Sequence, residues 1–504
     1  MNGLGTGTKT DGREGWPAML VRERPRPAAI RNRPNAWRLA VATVCFGAFM
    51  GQLDASIVTL TYHSLRVDFG APLAGVEWVS LAYLITLVAL LVPVGRLADA
   101  RGRKLFYLYG FVVFTAASAA CGVAPSLTAL IAFRVVQAAG AAMLQANSVA
   151  LVATSAPREK MRAALGVQAA AQALGLALGP TVGAALVATV GWRWVFGINV
   201  PIGVIALVAG HFLLPRTRAR NPVPAFDWQG LAWLSAATTS LLLGVSAASG
   251  LPLPVWAVVL LFAAAVVAGW AFVRRQRRAA VPLLDLALLR VPAVSPGLVG
   301  ALCGYLVLFG PLVLVPITLG RTGASELLTG LVVSALPAGF ALAATGSDRV
   351  LPRSVTDRAR CVLGAVVASG ALAGMLVAPV SAGWLAALLG LLGAGLGVFT
   401  PANNALIMRA IPVAASGTGG GLVNMTRGMG TALGVALVTL ALHLAPADSV
   451  APAAHHGVVV LLVASGAALL AAWFSPRRVQ PRGKYDLQHR FPEPPPITNG
   501  STHG

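Results

Sequence analysis

The sequence predicts an all-α membrane protein of fourteen transmembrane helices, and three observations predict it. Of its 504 residues, 57% are apolar and only 11% are charged, against ~25% charged in an ordinary soluble domain. Its mean hydropathy of +0.76 leaves more apolar surface than a water-soluble core can bury, and a bilayer is the solvent that accepts the rest. The apolar residues also gather in runs of about 20, the length that crosses ~30 Å of hydrocarbon.

Fourteen such runs follow in order, near 37–60, 78–98, 104–124, 126–151, 163–189, 193–214, 229–249, 252–273, 296–319, 327–346, 360–380, 383–407, 417–442 and 456–475. Residues 1–36 are polar and rich in Arg and Pro, so they read as a disordered tail rather than a signal peptide, and residues 477–504 read the same way. The expected organisation is a six-helix bundle over 37–215, a two-helix insert with its flanking loops over 216–290 and a second six-helix bundle over 291–476.

The formal net charge of +22, from 38 Lys and Arg against 16 Asp and Glu, would suggest nucleic acid in a soluble protein. Placement decides otherwise. An even number of spans puts both tails on one side, and with the tails inside, 33 of the 38 basic residues fall in inner loops and tails. Outer loops hold Arg66, Arg193 and Arg321, and only Arg134 and Arg427 lie within spans. This bias orients both termini to the cytoplasm, leaves no case for a nucleic-acid partner, and allows a minor attraction of the inner loops to anionic lipid.

The four cysteines, Cys45, Cys121, Cys303 and Cys361, lie in or beside spans without paired spacing, and read as small packing residues. No HExxH or GxxxxGK[ST] pattern occurs, so no metal, no nucleotide and no catalytic residue is expected, and ion gradients remain as the energy source. An enzyme is excluded on the same grounds.

An internal repeat organises the spans. Glu77 and Glu326 open two spans 249 residues apart, and Asp99 and Asp348 close the same spans at the same separation. QAN at 145–147 parallels PAN at 401–403, and Gly166, Gly175 and Gly179 parallel Gly421, Gly430 and Gly434. Paired bundles around a midplane site are the architecture of alternating access.

GRLADARGRK (95–104) places Gly95, Asp99, Arg101, Gly102, Arg103 and Lys104 between spans 2 and 3. Its charges can bridge helix ends, and its glycines permit a tight turn and close approach. The segment resembles the cytoplasmic-loop signature of the major facilitator superfamily. RVVQAAGAA (134–142) resembles that family's intramembrane arginine motif, and ALGLALGPTVGAAL (173–186), with Gly175, Gly179, Pro180 and Gly183, resembles its antiporter motif. LDASIV (53–58), GWRWVFGINVPIG (191–203), FDWQG (226–230), PLLDLALLR (282–290) and GLGVFTPANNALIM (395–408) resemble the fourteen-span drug:proton antiporters. One departure is TGSDRVLPR (345–353), a weakened second copy of the loop signature that lacks its second glycine. The resemblance implies the major facilitator fold, two pseudo-symmetric six-helix bundles plus a two-helix insert. It also implies export of an amphipathic drug-like compound or secondary metabolite in exchange for protons. An importer or facilitator of a small solute, or a flippase for a lipid-linked precursor, are alternatives on the same fold. The partners expected are membrane lipid, protons and a small-molecule substrate, with no cofactor, in a monomer of the cytoplasmic membrane.

Buried charge marks the candidate chemistry, because an ionised group at the membrane centre costs ~2.5–3.5 kcal/mol even on lenient scales. Among the carboxylates only Asp54 sits well inside a span, about six residues from an outer end at Leu60, or ~9 Å. Arg134 lies at similar depth in span 4. Two readings stay open: Asp54 carries the coupling proton with Arg134 as its partner, or the two form a static ion pair. Arg427 in span 13 aligns with Gln172 in the repeat, and reads either as a partner for an anionic substrate group or as a hydrogen-bonded structural residue beside Asn424. Further cavity candidates are Gln52, Tyr83, Gln137, Gln145, Asn147, Gln168, Gln172, Tyr305, Asn403, Asn404 and Asn424, each of which taken alone reads more readily as interhelical glue. Glu77 and Glu326 fit an outer vestibule, and Trp192 and Trp194 read as interfacial anchors. With no second midplane acid, neutral, zwitterionic, monocationic or anionic substrates are favoured over divalent cations.

Overall fold

A computed structural model describes residues 23–476 apart from 24, 34, 218–225, 249–252, 322–325, 353, 378, 380 and 444–449. The expected tails at 1–22 and 477–504 therefore lie outside the described residues. Long helices follow one another, and no strand forms among the described residues. They are α1 Ala36–Ile57, α2 Leu73–Arg101, α3 Arg103–Gly122, α4 Leu127–Ser155, α5 Met161–Thr189, α6 Asn199–Leu213 and α7 Trp228–Ala248. The second series is α8 Val255–Arg278, α9 Val294–Arg321, α10 Glu326–Val350, α11 Asp357–Val377, α12 Ala382–Ala410, α13 Ser416–His443 and α14 Val450–Phe474.

Among the described residues, thirteen helices are long and apolar enough to cross a membrane. The expected seventh span forms the helix α7, Trp228–Ala248. Its middle carries Thr238, Thr239 and Ser240, and the Thr238 hydroxyl donates back to the Leu234 carbonyl at 2.9 Å, so the helix satisfies its own polar groups. The first span differs from expectation at its far end. α1 stops at Ile57, a 3₁₀ turn runs from Val58 to Thr61, and a short helix Tyr62–Phe69 carries the chain to Gly70. Asp54 is thus three residues from the end of α1 with further helical chain beyond it. Between α2 and α3 a single residue makes the turn, and Gly102 takes φ +123°, a conformation that side chains disfavour.

Packing repeats along the chain. α1 lies along α5, α3 along α4, α2 along α4, and α6 against α3 and α1. Adding eight to each number gives the second set: α9 with α13, α11 with α12, α10 with α12, and α14 with α11 and α9. The glycines explain the intimacy. A Cβ at Gly140 on α4 would run into the backbone of Phe114 on α3, and a Cβ at Gly395 on α12 into the backbone of Gly364 on α11. The two sets meet where α2 packs on α13 and α5 on α10. α7 and α8 pack on each other, with α7 also against α2 and α13. α8 exposes Trp256, Val259, Val266, Val267 and Trp270, an apolar face suited to lipid.

Asp227 ties this insert together. Its carboxylate accepts from the Gly230 amide at 3.0 Å, from Arg275 Nε at 3.0 Å and from Gln276 Nε2 at 2.9 Å, which joins the start of α7 to the end of α8. Burial opposes its ionisation, but the Gly230 amide, Gln276 and Arg275 together hold the carboxyl below the usual range. A depressed carboxyl contributes stability that is present above its unfolded pKa and lost as pH falls through its folded one. The melting-temperature difference between the native protein and Asp227→Asn should therefore be largest near neutrality and shrink on acidification. A difference that grows as pH falls would contradict this role.

Candidate functional site

The two buried charges predicted from the sequence meet. Arg134 Nη1 lies 2.6 Å from Asp54 Oδ2, with the two side chains 1% and 0% exposed. Asp54 Oδ1 accepts from Gln137 Nε2 at 3.0 Å and from Asn199 Nδ2 at 3.1 Å. The carboxylate thus takes three hydrogen bonds, a set that fits its ionised form. Arg134 is held in turn by the Val79 carbonyl at 3.1 Å and the Gln137 Oε1 at 2.7 Å, with its guanidinium 4.0 Å from the centre of the Tyr83 ring. Gln137 Nε2 also donates to Ser118 Oγ at 2.8 Å. Helices α1, α2, α3, α4 and α6 all contribute, so one proton on Asp54 would disturb a junction of five helices. Removing one partner of such a buried pair costs ~3–5 kcal/mol.

A second group of polar side chains lies between the two helix sets. Arg427 on α13 is 4% exposed. Its Nη1 donates to Asn424 Oδ1 at 3.1 Å and its Nη2 to Gln172 Oε1 at 3.3 Å, and its guanidinium sits 4.5 Å from the centre of the Tyr305 ring. The alignment of Gln172 with Arg427 in the repeat is therefore realised as a contact across the pseudo-symmetry axis. On one side of Tyr305 lies a cleft of ≈ 10 Å³ with Gln52, Gln172, Leu308, Pro337 and Phe340 in its walls. On the other side a smaller cleft is lined by Phe399, Asn403, Asn404 and Arg427. Drug-sized sites hold ~300–1,000 Å³, so the cleft is constricted in this conformation.

The basic end of the bundle, where the 95–104 loop lies, is latched shut at two places. Asp99 Oδ1 accepts from the Gly417 amide and Oδ2 from the Thr418 amide and hydroxyl, each at 2.7 Å, so its carboxylate caps the N-terminus of α13. Arg103 pairs with Asp99 at 2.9 Å and donates to the Val413 carbonyl. Lys104 Nζ donates to the His211 and Leu214 carbonyls at 2.8 and 2.9 Å, closing the end of α6. Arg101 is exposed. The second latch belongs to the weakened loop copy: Arg162 on α5 binds Asp348 at 2.7 Å and Asp357 at 2.6 Å, Arg360 binds Asp348 at 3.2 Å, and Arg409 binds Asp357 at 2.6 Å.

Several sequence candidates change place. Gln137 and Tyr83 do not line the cleft; they belong to the Asp54 and Arg134 cluster. Asn147 donates to the Met143 carbonyl of its own helix at 2.8 Å, and Gln168 donates to Ser148 Oγ at 2.9 Å, joining α5 to α4. Gln145 lies over Gly51, and its carbonyl accepts from Asn424 Nδ2 at 2.7 Å. Asn403 binds the Gly297 carbonyl at 2.8 Å, joining α12 to α9. Trp192 is buried and donates to Asp68 at 2.7 Å, so it is no interfacial anchor, whereas Trp194 is exposed. Gly175, Gly179 and Gly183 face Phe49, Ser56 and Ile57, so this motif seats α5 on α1 within one six-helix set. The side chains of Pro180 and Glu326 lie outside the described ones. Sequence reasoning missed Asn199, Ser118 and the Arg162, Asp357 and Arg409 network. Asn199 had a signal, as the amide that opens the otherwise apolar run of α6.

The sequence matches the Major Facilitator Superfamily over residues 44–435. Relatives include the tetracenomycin C resistance and export protein of Streptomyces glaucescens, 32% identical over 82% of this chain and 76% of that one. The probable actinorhodin transporter of Streptomyces coelicolor is 31% identical over 84% of this chain and 75% of that one. The solved structure of the human organic anion transporter MFSD10 (TETRAN) shares the fold with a TM-score of 0.63 at 18% identity, covering 88% of this chain and 100% of that one. A helical architecture of repeated packing and a family match over most of its length agree: the chain belongs to the major facilitator superfamily of membrane transporters.

Proposed function

We propose that the protein exports an amphipathic drug-like compound or secondary metabolite from the cytoplasm in exchange for protons. It does so as a monomer in the lipid of the cell membrane, with no cofactor and with both termini and the basic end on the cytoplasmic side. The observation that carries this reading is the sealed ion pair between Asp54 and Arg134, at 2.6 Å. A carboxylate at this depth is costly unless it works or is paired, and here the pairing is one that a proton undoes. Protonation from the outer side removes the countercharge of Arg134, loosens the five-helix junction and lets the bundles rock about the cleft. α1 transmits the change, since it carries both Asp54 and the cleft residue Gln52, and α5 follows because its glycines seat it on α1. With the latches at Asp99 and Asp348 parted, the cleft opens to the cytoplasm, Asp54 re-forms its pair and releases the proton, and the compound enters to be carried outward. The tetracenomycin C resistance and export protein among its relatives supports the direction of transport.

The test is uptake into everted membrane vesicles. An inward-acid pH gradient should drive accumulation of the compound to which the protein confers resistance, and a protonophore should abolish it. Gradient-independent equilibration, or movement of lipid without any drug, would overturn the reading.

A further inference from the structure

Among the described residues, buried arginines are matched by carboxylates: Arg134 with Asp54, Arg103 with Asp99 and Arg360 with Asp348. Arg427 differs. None of the ion pairs among the described residues includes it, and its partners are the neutral Asn424, Gln172 and the ring face of Tyr305. Its Nε finds no acceptor, and in the same cleft the buried Oδ1 of Asn404 finds no donor. A buried cation surrounded only by dipoles is under-compensated, because amide and ring partners return part of its hydration and supply no countercharge. The positive field is left to whatever occupies the cleft.

We propose that Arg427 is the anion subsite of this cleft, so that the exported compounds carry one ionised oxygen acid, a carboxylate, phenolate or enolate, on an apolar aromatic body. This deepens the export reading and rests on it for the direction of travel. The acid group meets the free Nε edge of the guanidinium, where a charge-assisted hydrogen bond forms with a donor that is already desolvated. The body lies against Tyr305, which is common to both clefts, and against Phe340 and Phe399. Tyr305 also stacks on Phe309 at 6.2 Å with ring planes 22° apart, which fixes the platform. No carboxylate lines either cleft, so an anion meets no repelling like charge there and a dication finds no partner.

The experiment is equilibrium binding of two probes of one shape, 9-anthracenecarboxylate and 9-anthracenecarboxamide, to the purified full-length protein at neutral pH without any gradient. The carboxylate should bind on the order of tenfold more tightly, the scale of one charged hydrogen bond. Arg427→Gln should erase that preference while holding the carboxamide within about twofold, and Arg427→Lys should restore part of it. Equal affinities, no carboxylate binding at millimolar concentration, or a preference that survives Arg427→Gln would overturn the proposal. If Arg427→Gln does not fold, the probe ratio of the native protein and of Arg427→Lys decides. Native protein that binds selectively while showing no gradient-driven export would overturn the antiport reading alone.

Discussion

Asp54→Asn is expected to reduce pH-gradient-driven export to the level of vesicles without the protein, a loss on the order of 100-fold, the upper range of coupling between two sites. Exchange of labelled for unlabelled compound across the membrane should survive within about threefold on the same scale. Asparagine keeps an oxygen to accept from Gln137 and Asn199, which bind Asp54 at 3.0 and 3.1 Å, and it has the shape of a protonated carboxyl. It therefore mimics one protonation state and can never enter the other. Arg134→Ala is a harsher change. It leaves Asp54 buried at 0% exposure without a countercharge, and either the carboxyl keeps its proton or the fold loses ~3–5 kcal/mol. Uncoupled exchange with a lowered melting temperature is the expected phenotype. Gradient-driven transport by Asp54→Asn at the native rate would show the pair to be structural only.

The second large effect concerns the latch at the basic end. A Cβ built on Gly95 falls onto the Gly417 carbonyl, and one built on Gly417 falls onto the Asp99 carboxylate and the Gly95 carbonyl. Backbone stands on both sides, so no side chain can swing away. Gly95→Leu should therefore exclude the closed basic end, and with it the three hydrogen bonds that Asp99 makes to α13. Overpacking costs ~1–3 kcal/mol, and ~1.4 kcal/mol is a tenfold shift in population, so the protein should rest with this end open. The readout is maleimide labelling of a cysteine at Ala150, which is buried opposite Gly420, in a background without the four native cysteines. Labelling should rise about tenfold on the same scale, and transport should fall to background. Gly269→Ala, where a Cβ meets nothing within 4 Å, is the control. Unchanged labelling in Gly95→Leu would remove the latch from the transport cycle.

Much of this was legible in the sequence, for physical reasons that also mark where legibility ended. Asp54 and Arg134 stood out because charge inside an apolar run is expensive, and so few such residues occur that pairing them is close to forced. Neutral polar residues carry no such scarcity. Gln137, Tyr83 and Asn199 look alike along the chain, since periodicity gives the face of a residue on its own helix and not which neighbour that face meets. The repeat placed Gln172 opposite Arg427 correctly because pseudo-symmetry supplies the missing neighbour. Spacing marks glycines as places of close approach without saying which helix approaches, and the structure supplies the partner: Gly175, Gly179 and Gly183 lock α5 to α1, whereas Gly95, Gly417 and Gly421 let the two helix sets touch. The second latch escaped notice because Arg162, Arg360 and Arg409 were absorbed into the positive-inside count, which explains why bases lie there and says nothing of which acids they find. The early end of α1 was hidden by Val58–Thr61, an apolar stretch that continues the hydropathy run through a change of helix type.

The most direct measurement is proton release on binding. The purified protein, in weakly buffered detergent solution with no gradient, receives the exported compound while pH is followed. If the compound and the proton compete through the pair at Asp54, binding should release protons from the native protein with a dependence on starting pH, and Asp54→Asn should bind without release. Binding to the native protein without proton release, or equal release from Asp54→Asn, would contradict the account.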